Sequence, residues 1–159
     1  MAKIERKLMG HFLANGEGKY SRLGKDLEEL DVSLNPEVNT TLNILGESNT
    51  LNSGYAPEAD VTPYYAYEDD PLFEWLQAGI DSRNTDMTST AVEVHLWKPV
   101  GASSTTFEAY KEDCLVVPQT YGGDTSAYRI EFNVYYTGNR VAGTFDLTTK
   151  TFTAGGSGD

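Results

Sequence analysis

Apolar and polar residues alternate along most of this chain with a period of two, the signature of strands with one buried face. Leu30, Val32 and Leu34 alternate with Glu29, Asp31 and Ser33, so an apolar row backs onto an acidic one. A strand of that kind belongs in an antiparallel sheet. Ala59, Val61, Pro63, Tyr65 and Tyr67 repeat the pattern against Glu58, Asp60, Thr62, Tyr64 and Glu68, and Pro63, which cannot donate to a ladder, is expected at an edge or bulge. Val92, Val94 and Leu96 alternate with Glu93, His95 and Trp97. A strand or bulged pair is expected over 105–117, and Tyr128, Ile130, Phe132, Val134 and Tyr136 mark the next. Thr137-Gly138-Asn139 predicts a hairpin turn into a strand over 141–147, and Thr148 to Lys150 predicts a further turn into Phe152.

One segment breaks the period. Asp69-Asp70-Pro71 is a helix start, since Asp70 can cap, Pro71 fits the first helical position and both acids favour the positive end of the helix dipole. Leu72, Trp75 and Leu76 then share a face, and Gly79 suits an exit, so the spacing predicts a helix over about 70–79. Two turns are too short to stand alone, so the helix must lean on a sheet.

Residues 1–26 carry Gly10, Gly16, Gly18 and Gly24 and only two apolar clusters, Leu8-Met9 and Phe12-Leu13; they read as an extended N-terminal arm with at most one short strand. A second irregular stretch, the long loop over 35–57, begins where Asn35-Pro36 breaks the first strand. It is rich in Asn, Thr, Ser and Gly, yet contains Leu42, Ile44, Leu45 and Leu51. Polar loops of this length are uncommon in compact domains, and a merely solvated one has little use for four large aliphatic side chains. The expectation is a loop that packs on something.

The result is seven or eight strands and one helix, with no βαβ alternation and no internal repeat. The expected fold is mainly β: a β-sandwich or barrel of two packed antiparallel sheets, with one short flanking helix, the long loop and the arm. The domains are the arm over 1–26, a single β-sandwich over 27–153 and a flexible, Gly-rich tail over 154–159.

Length and charge narrow the function. The 159 residues suffice for one core without disulfides or metal staples. The single cysteine, Cys114, excludes an internal disulfide and reads as a small apolar strand residue. No apolar window approaches a membrane span and no export signal is recognisable, so the chain reads as soluble and folded inside a cell. A net charge of −12 argues against a phosphate-gripping surface. The charge is also uneven: residues 26–82 hold thirteen acids and no Lys or Arg, whereas the first 25 hold six bases and two acids. A basic head and an acidic body suit contact between copies, and the competing reading is a surface kept soluble by its acids.

A search for chemistry finds no catalytic constellation, so the chain does not read as an enzyme, and no cofactor is implied. His11 and His95 are the only histidines and neither has ligand spacing to the other or to Cys114. His95, between Glu93 and Trp97, suits a structural or lumen-facing place. Asp81, Asn84, Asp86 and Glu93 miss the calcium-loop spacing and its central glycine, capping already explains Asp69 and Asp70, and Gly16-Glu17-Gly18 lacks the lysine of a phosphate loop. The ten tyrosines could line a sugar-binding face or a subunit contact.

Four landmarks occur in order: Tyr20-Ser21-Arg22-Leu23-Gly24-Lys25, the strand ending in Asn35-Pro36-Glu37, the long loop closing on Gly54-Tyr55-Ala56-Pro57, and Asp69-Asp70-Pro71 opening a Phe73-Glu74-Trp75-Leu76 helix. The ordered set resembles the major tail (tail tube) proteins of long-tailed bacteriophages across nearly the whole chain, without the immunoglobulin-like domain that some members append. The resemblance implies a virion structural protein whose copies form rings, hexameric in this family. Inner sheets join into a barrel, and rings stack into a hollow tube around the tape-measure protein, with tail-end proteins as further partners. DNA passes through the lumen without specific binding, and assembly takes place in the host bacterial cytoplasm. It also implies that arm and loop meet neighbouring copies, placing Lys3, Arg6, Lys7, Asn35, Pro36, Leu42, Ile44, Leu45, Leu51 and Tyr55 at contacts. Glu29 and Asp31 are the expected lumen-facing residues, because their strand is amphipathic. Two alternatives stay open: the tube protein of a contractile tail or secretion machine, and a carbohydrate-binding β-sandwich.

Overall fold

The computed structural model describes residues 1–24, 27, 29–102 and 104–155. Strands β1 (Met9–Ala14), β2 (Tyr20–Leu23) and β3 (Val32–Ser33) are followed by β4 (Val38–Leu42), β5 (Ser48–Asn52) and β6 (Glu58–Tyr65). Helix α1 (Pro71–Asp81) leads to β7 (Thr88–Pro99), β8 (Thr106–Gly123), β9 (Tyr128–Asp146) and β10 (Thr151–Ala154). The protein is mainly β, with two antiparallel sheets and one short helix, consistent with the expected β-sandwich. The large sheet runs β2-β1-β7-β8-β9-β6-β3, with β10 also paired to β9, and the small sheet is the β4–β5 hairpin.

Alternation along the strands divides the core between the two faces of the large sheet. On β1, Leu13 enters one cluster and its neighbour Phe12 the other; on β7, Ala91 and Val92 divide the same way. The larger cluster packs Val61, Cys114, Val116, Ile130, Phe132 and Val134 against Leu72, Leu76 and Ile80 of the helix. The smaller one gathers Val94, Ala109 and Phe145 under Phe107, Leu147 and Phe152. Phe12 and Phe145 meet with ring centroids 4.6 Å apart.

The helix starts as its sequence dictates: the Asp70 carboxylate accepts from the Leu72 amide at 3.0 Å, and Pro71 opens the first turn. It does not end at Gly79. It continues to Asp81 with Ser82 as its C-cap, because Gly79 is a buried contact with Met87 rather than a stop. Pro63 falls within the register shift of β6 between Val61 and Tyr64, the bulge expected for it.

Several expectations need correcting. Met9–Ala14 and Tyr20–Leu23 are sheet strands rather than parts of a free arm: β1 lies between β2 and β7, and Phe12, Leu13 and Ala14 are buried there. Glycines hid the strand by diluting its apolar signal, although two adjacent apolar residues suffice in a strand buried on both faces. The Leu30–Leu34 strand shrinks to Val32–Ser33; Leu30 is buried just ahead of it and Leu34 is exposed. The β6 strand ends at Tyr65, short of Tyr67, and the strand placed at 105–117 extends to Gly123. Thr137-Gly138-Asn139 does not turn the chain. Gly138 and Asn139 adopt positive φ (116° and 60°), and opposite them the β8–β9 register shifts around Asp113, so the segment bulges while β9 continues. The turn at Thr148–Lys150 forms as expected and returns β10 along β9. Ala154, assigned to the tail, closes β10; Gly156–Asp159, Lys25 and Asp26 lie outside the described residues.

Candidate functional site

The long loop over 35–57 is a folded hairpin. Val38 pairs with Asn52, Thr40 with Thr50 and Leu42 with Ser48, yet every residue of both strands is exposed. The tip is held by one side chain: Asn43 Oδ1 accepts from the Leu45 and Glu47 amides, each at 2.9 Å, and Asn43 Nδ2 donates to Glu47 Oε1. Gly46, at φ 79°, takes the left-handed position the turn needs. Ile44 and Leu45 are thereby presented at the apex at 102% and 77% exposure.

Pairing across the ribbon places Val38 and Leu42 on one face and Leu51 on the other. Neither face is a conventional apolar side to lay on the protein's own core, so the ribbon suits insertion between two surfaces. An isolated two-stranded hairpin is marginal in water, so packing elsewhere would stabilise it. Burying Leu42, Ile44, Leu45 and Leu51 is worth about 1.5–3 kcal/mol each, against ~0–1 kcal/mol for an exposed ion pair. Any contact made by this hairpin would therefore draw more from apolar burial than from charge.

The hairpin root is built from residues of both kinds. Asn35, at φ 48°, donates from Nδ2 to the Ala56 carbonyl at 3.0 Å and to Glu58 Oε1 at 3.3 Å, and the Ala56 amide returns to the Leu34 carbonyl. Asn35 thus ties the root together within its own chain. Pro36 is exposed beside it, and Tyr55 is 61% exposed. Behind the root, Val32, Leu34, Tyr55 and Pro57 border a groove of about 640 Å³ whose far side includes Tyr136 and Arg140. Arg140 Nη1 donates to Glu112 Oε1 at 3.0 Å, Nη2 to Glu93 Oε2 at 3.4 Å, and the guanidinium lies 4.8 Å from the Tyr110 ring centroid. Glu93 and Glu112 line the same groove, so the Arg140 cation, whose side chain is 43% exposed, is held between two carboxylates.

The basic cluster is less free than its sequence suggests. Arg6 Nη1 donates to the Met9 carbonyl and Nη2 to the Leu30 carbonyl at 2.7 Å, clamping the first 3-10 turn to the segment before β3. Lys7 pairs with Glu5 at 3.2 Å, and Lys3 is exposed. Arg22 donates to the Lys7 carbonyl at 2.7 Å. Glu29 and Asp31 are exposed and line a shallow acidic hollow with Glu58 and Asp60.

Both histidines are structural in geometry. His95 stacks on Trp97 with centroids 4.6 Å apart and its Nδ1 lies 3.3 Å from Glu108 Oε1. His11 is buried opposite Glu93, and burial, with Arg6 and Arg22 nearby, holds its pKa below the usual histidine value despite the attraction of Glu93. Cys114 is buried on β8, its thiol pushed up to about 12 by burial and by Asp113 and Glu112. Asn84 Oδ1 accepts from the Asp86 amide and Glu93 pairs with Arg140, so the loose oxygen set over 81–93 is divided between a turn and an ion pair.

Sequence reasoning found the hairpin's aliphatic residues but missed Leu34, Tyr136 and Arg140 as groove residues. Arg140 left a trace: it is a base on β9, in a sheet whose neighbouring strands bear Glu93 and Glu112. No protein-family model matches this chain, and no curated protein matches it in sequence.

Proposed function

We propose that this protein is a structural subunit that polymerises as stacked, hexameric rings into the hollow tail tube of a long-tailed bacteriophage. The observation that carries this reading is the β4–β5 hairpin, a preformed ribbon whose aliphatic side chains find no cover in their own chain. A monomer has no use for such a ribbon, and exposed apolar groups on this scale mark a binding surface. The reading draws further support from the ordered landmarks that resemble tail tube proteins and from the uneven charge of the chain.

A ring-to-ring contact is head-to-tail, needs two different surfaces on each copy and yields an open filament. The hairpin supplies one surface. Edge strands joined between copies would also have their free backbone groups satisfied. In such a tube Glu29 and Asp31 would face the bore, where negative charge lets DNA slide past without sticking. The tape-measure and tail-end proteins would be its partners and the virion its location.

Concentrated, purified protein viewed by negative-stain electron microscopy and followed by sedimentation tests the reading. Rings or tubes are expected. A protein that stays monomeric at high concentration would remove the reading's main support.

A further inference from the structure

We infer that His11 is a pH-sensitive latch for the chain's first turn: when it takes up a proton, Arg6–Leu8 comes away from the sheet while the sheet stays folded. His11 is 7% exposed, and its side chain makes no hydrogen bond among the described residues. In register it lies between Leu23 on β2 and Glu93 on β7. Its charged surroundings are Arg6 from the first turn, Arg22 from β2 and Glu93 from β7, and Tyr136 of β9 borders the same small cavity. Burial keeps the Tyr136 hydroxyl protonated, so it brings no charge. Glu93 is the one anion of that set, and it is already shared with Arg140, which also pairs with Glu112. A protonated His11 is therefore a third cation beside two arginines, facing a counter-ion that is already engaged.

The same two arginines hold the first turn. Arg6 donates to the Met9 and Leu30 carbonyls, and Arg22 to the Lys7 carbonyl. Carbonyl acceptors are neutral, so these bonds leave both guanidinium charges in place. Within the turn, the Leu8 amide donates to the Glu5 carbonyl and the Met9 amide to the Arg6 carbonyl. No residue of Arg6–Leu8 is buried, whereas Phe12 and Leu13 further along β1 are 3% and 0% exposed. Opening the turn exposes little apolar surface, so it is the least costly way to relieve a buried charge: water reaches the imidazolium and Arg6 moves off. The sign follows from burial. His11 holds its proton less tightly in the closed form than in water, so acid favours the open form.

Amide hydrogen exchange on dilute protein, resolved to single residues by mass spectrometry and scaled for the intrinsic effect of pH, tests the latch. The contacts lie within one chain, so the result does not depend on assembly. As pH falls through about 6.5 toward 5, the Leu8 and Met9 amides should lose protection roughly tenfold, while Leu13 and Val92 keep theirs. His11→Gln should hold the turn closed over the same range. A wild-type turn that stays protected at pH 5, or one that opens alike in His11→Gln, would overturn the latch. So would an equal loss at Leu13 and Val92, which would mean that the sheet opens as a whole. That last comparison needs no variant, so it decides even where His11→Gln fails to fold.

Discussion

Met87 fills the space that a side chain on residue 79 would need: a Cβ added to Gly79 would lie 2.4 Å from both Sδ and Cε of Met87. The glycine thus sits within the helix to let Met87, the residue just ahead of β7, pack beneath it. Ala is favoured over Gly by about 1 kcal/mol in a helix, but overpacking a filled core costs about 1–3 kcal/mol. Met87 is 2% exposed and has little room to move, so packing wins. Gly79→Ala should lower stability in a urea titration, and adding Met87→Val should recover part of the loss.

The Asp70 carboxylate serves three partners, accepting from the Leu72 amide, from the Tyr64 hydroxyl and, at 3.5 Å, from the Ser21 hydroxyl. Burial and the hydrogen bond to Asp70 raise the Tyr64 pKa, so that hydroxyl stays a donor. Asp70→Ala removes the cap, worth about 1 kcal/mol, and strands a part-buried hydroxyl. A loss of about 2 kcal/mol is expected by chemical denaturation. Asp70→Asn, which can still cap, should lose less.

His11 makes stability depend on pH. Its folded pKa lies below the unfolded value of about 6.5, so the unfolded chain takes up the proton first. The contribution of His11 is present above pH ~6.5 and is lost as pH falls below it. Facing it are Glu93 on β7, Arg6 in the first turn and Arg22 on β2. Between pH 7 and pH 5 the melting temperature should fall more steeply for the wild-type protein than for His11→Gln. Parallel slopes would assign the acid sensitivity elsewhere.

The double substitution Ile44→Asp, Leu45→Asp touches only exposed side chains, so the monomer should keep its stability within about 0.5 kcal/mol. Assembly should not survive it. Losing two burials of about 1.5–3 kcal/mol each raises the concentration needed for polymerisation on the order of a hundredfold or more. Light scattering across a dilution series measures that threshold.

Cys114 should be inert in the native protein. It is 1% exposed and its thiol is pushed up to about 12, so almost no thiolate forms at neutral pH. A chromogenic thiol reagent should react with it at the rate of unfolding and immediately in guanidinium. Fast reaction in buffer would contradict the burial of β8.

Alternation made β6, β7 and the first half of β9 legible, because each buries alternate residues along most of its length, and local cap chemistry made the start of the helix legible. What escaped was decided by tertiary partners. Gly138-Asn139 has the local chemistry of a tight turn, yet β8 continues opposite it and holds β9 in the ladder. Gly79 has the chemistry of an exit, yet Met87 gives it a packing role. The hairpin was half legible: Leu42, Ile44, Leu45 and Leu51 announced a packing segment, but polar Asn and Thr positions concealed that it is paired. The groove at the hairpin root was illegible because Leu34, Tyr55 and Arg140 come from three separate stretches that only the fold brings together.

The root of the hairpin also decides how the molecule bears a pull. Force applied at the tip enters through Asn35 and Ala56 and passes directly into β6, which lies along β9. Antiparallel hydrogen bonds run perpendicular to the strands, so tension along β6 shears many of them together instead of peeling them singly. A copy held by its tip would therefore hand the load through β6 to the long strand β9 beside it, rather than to the edge strand β3.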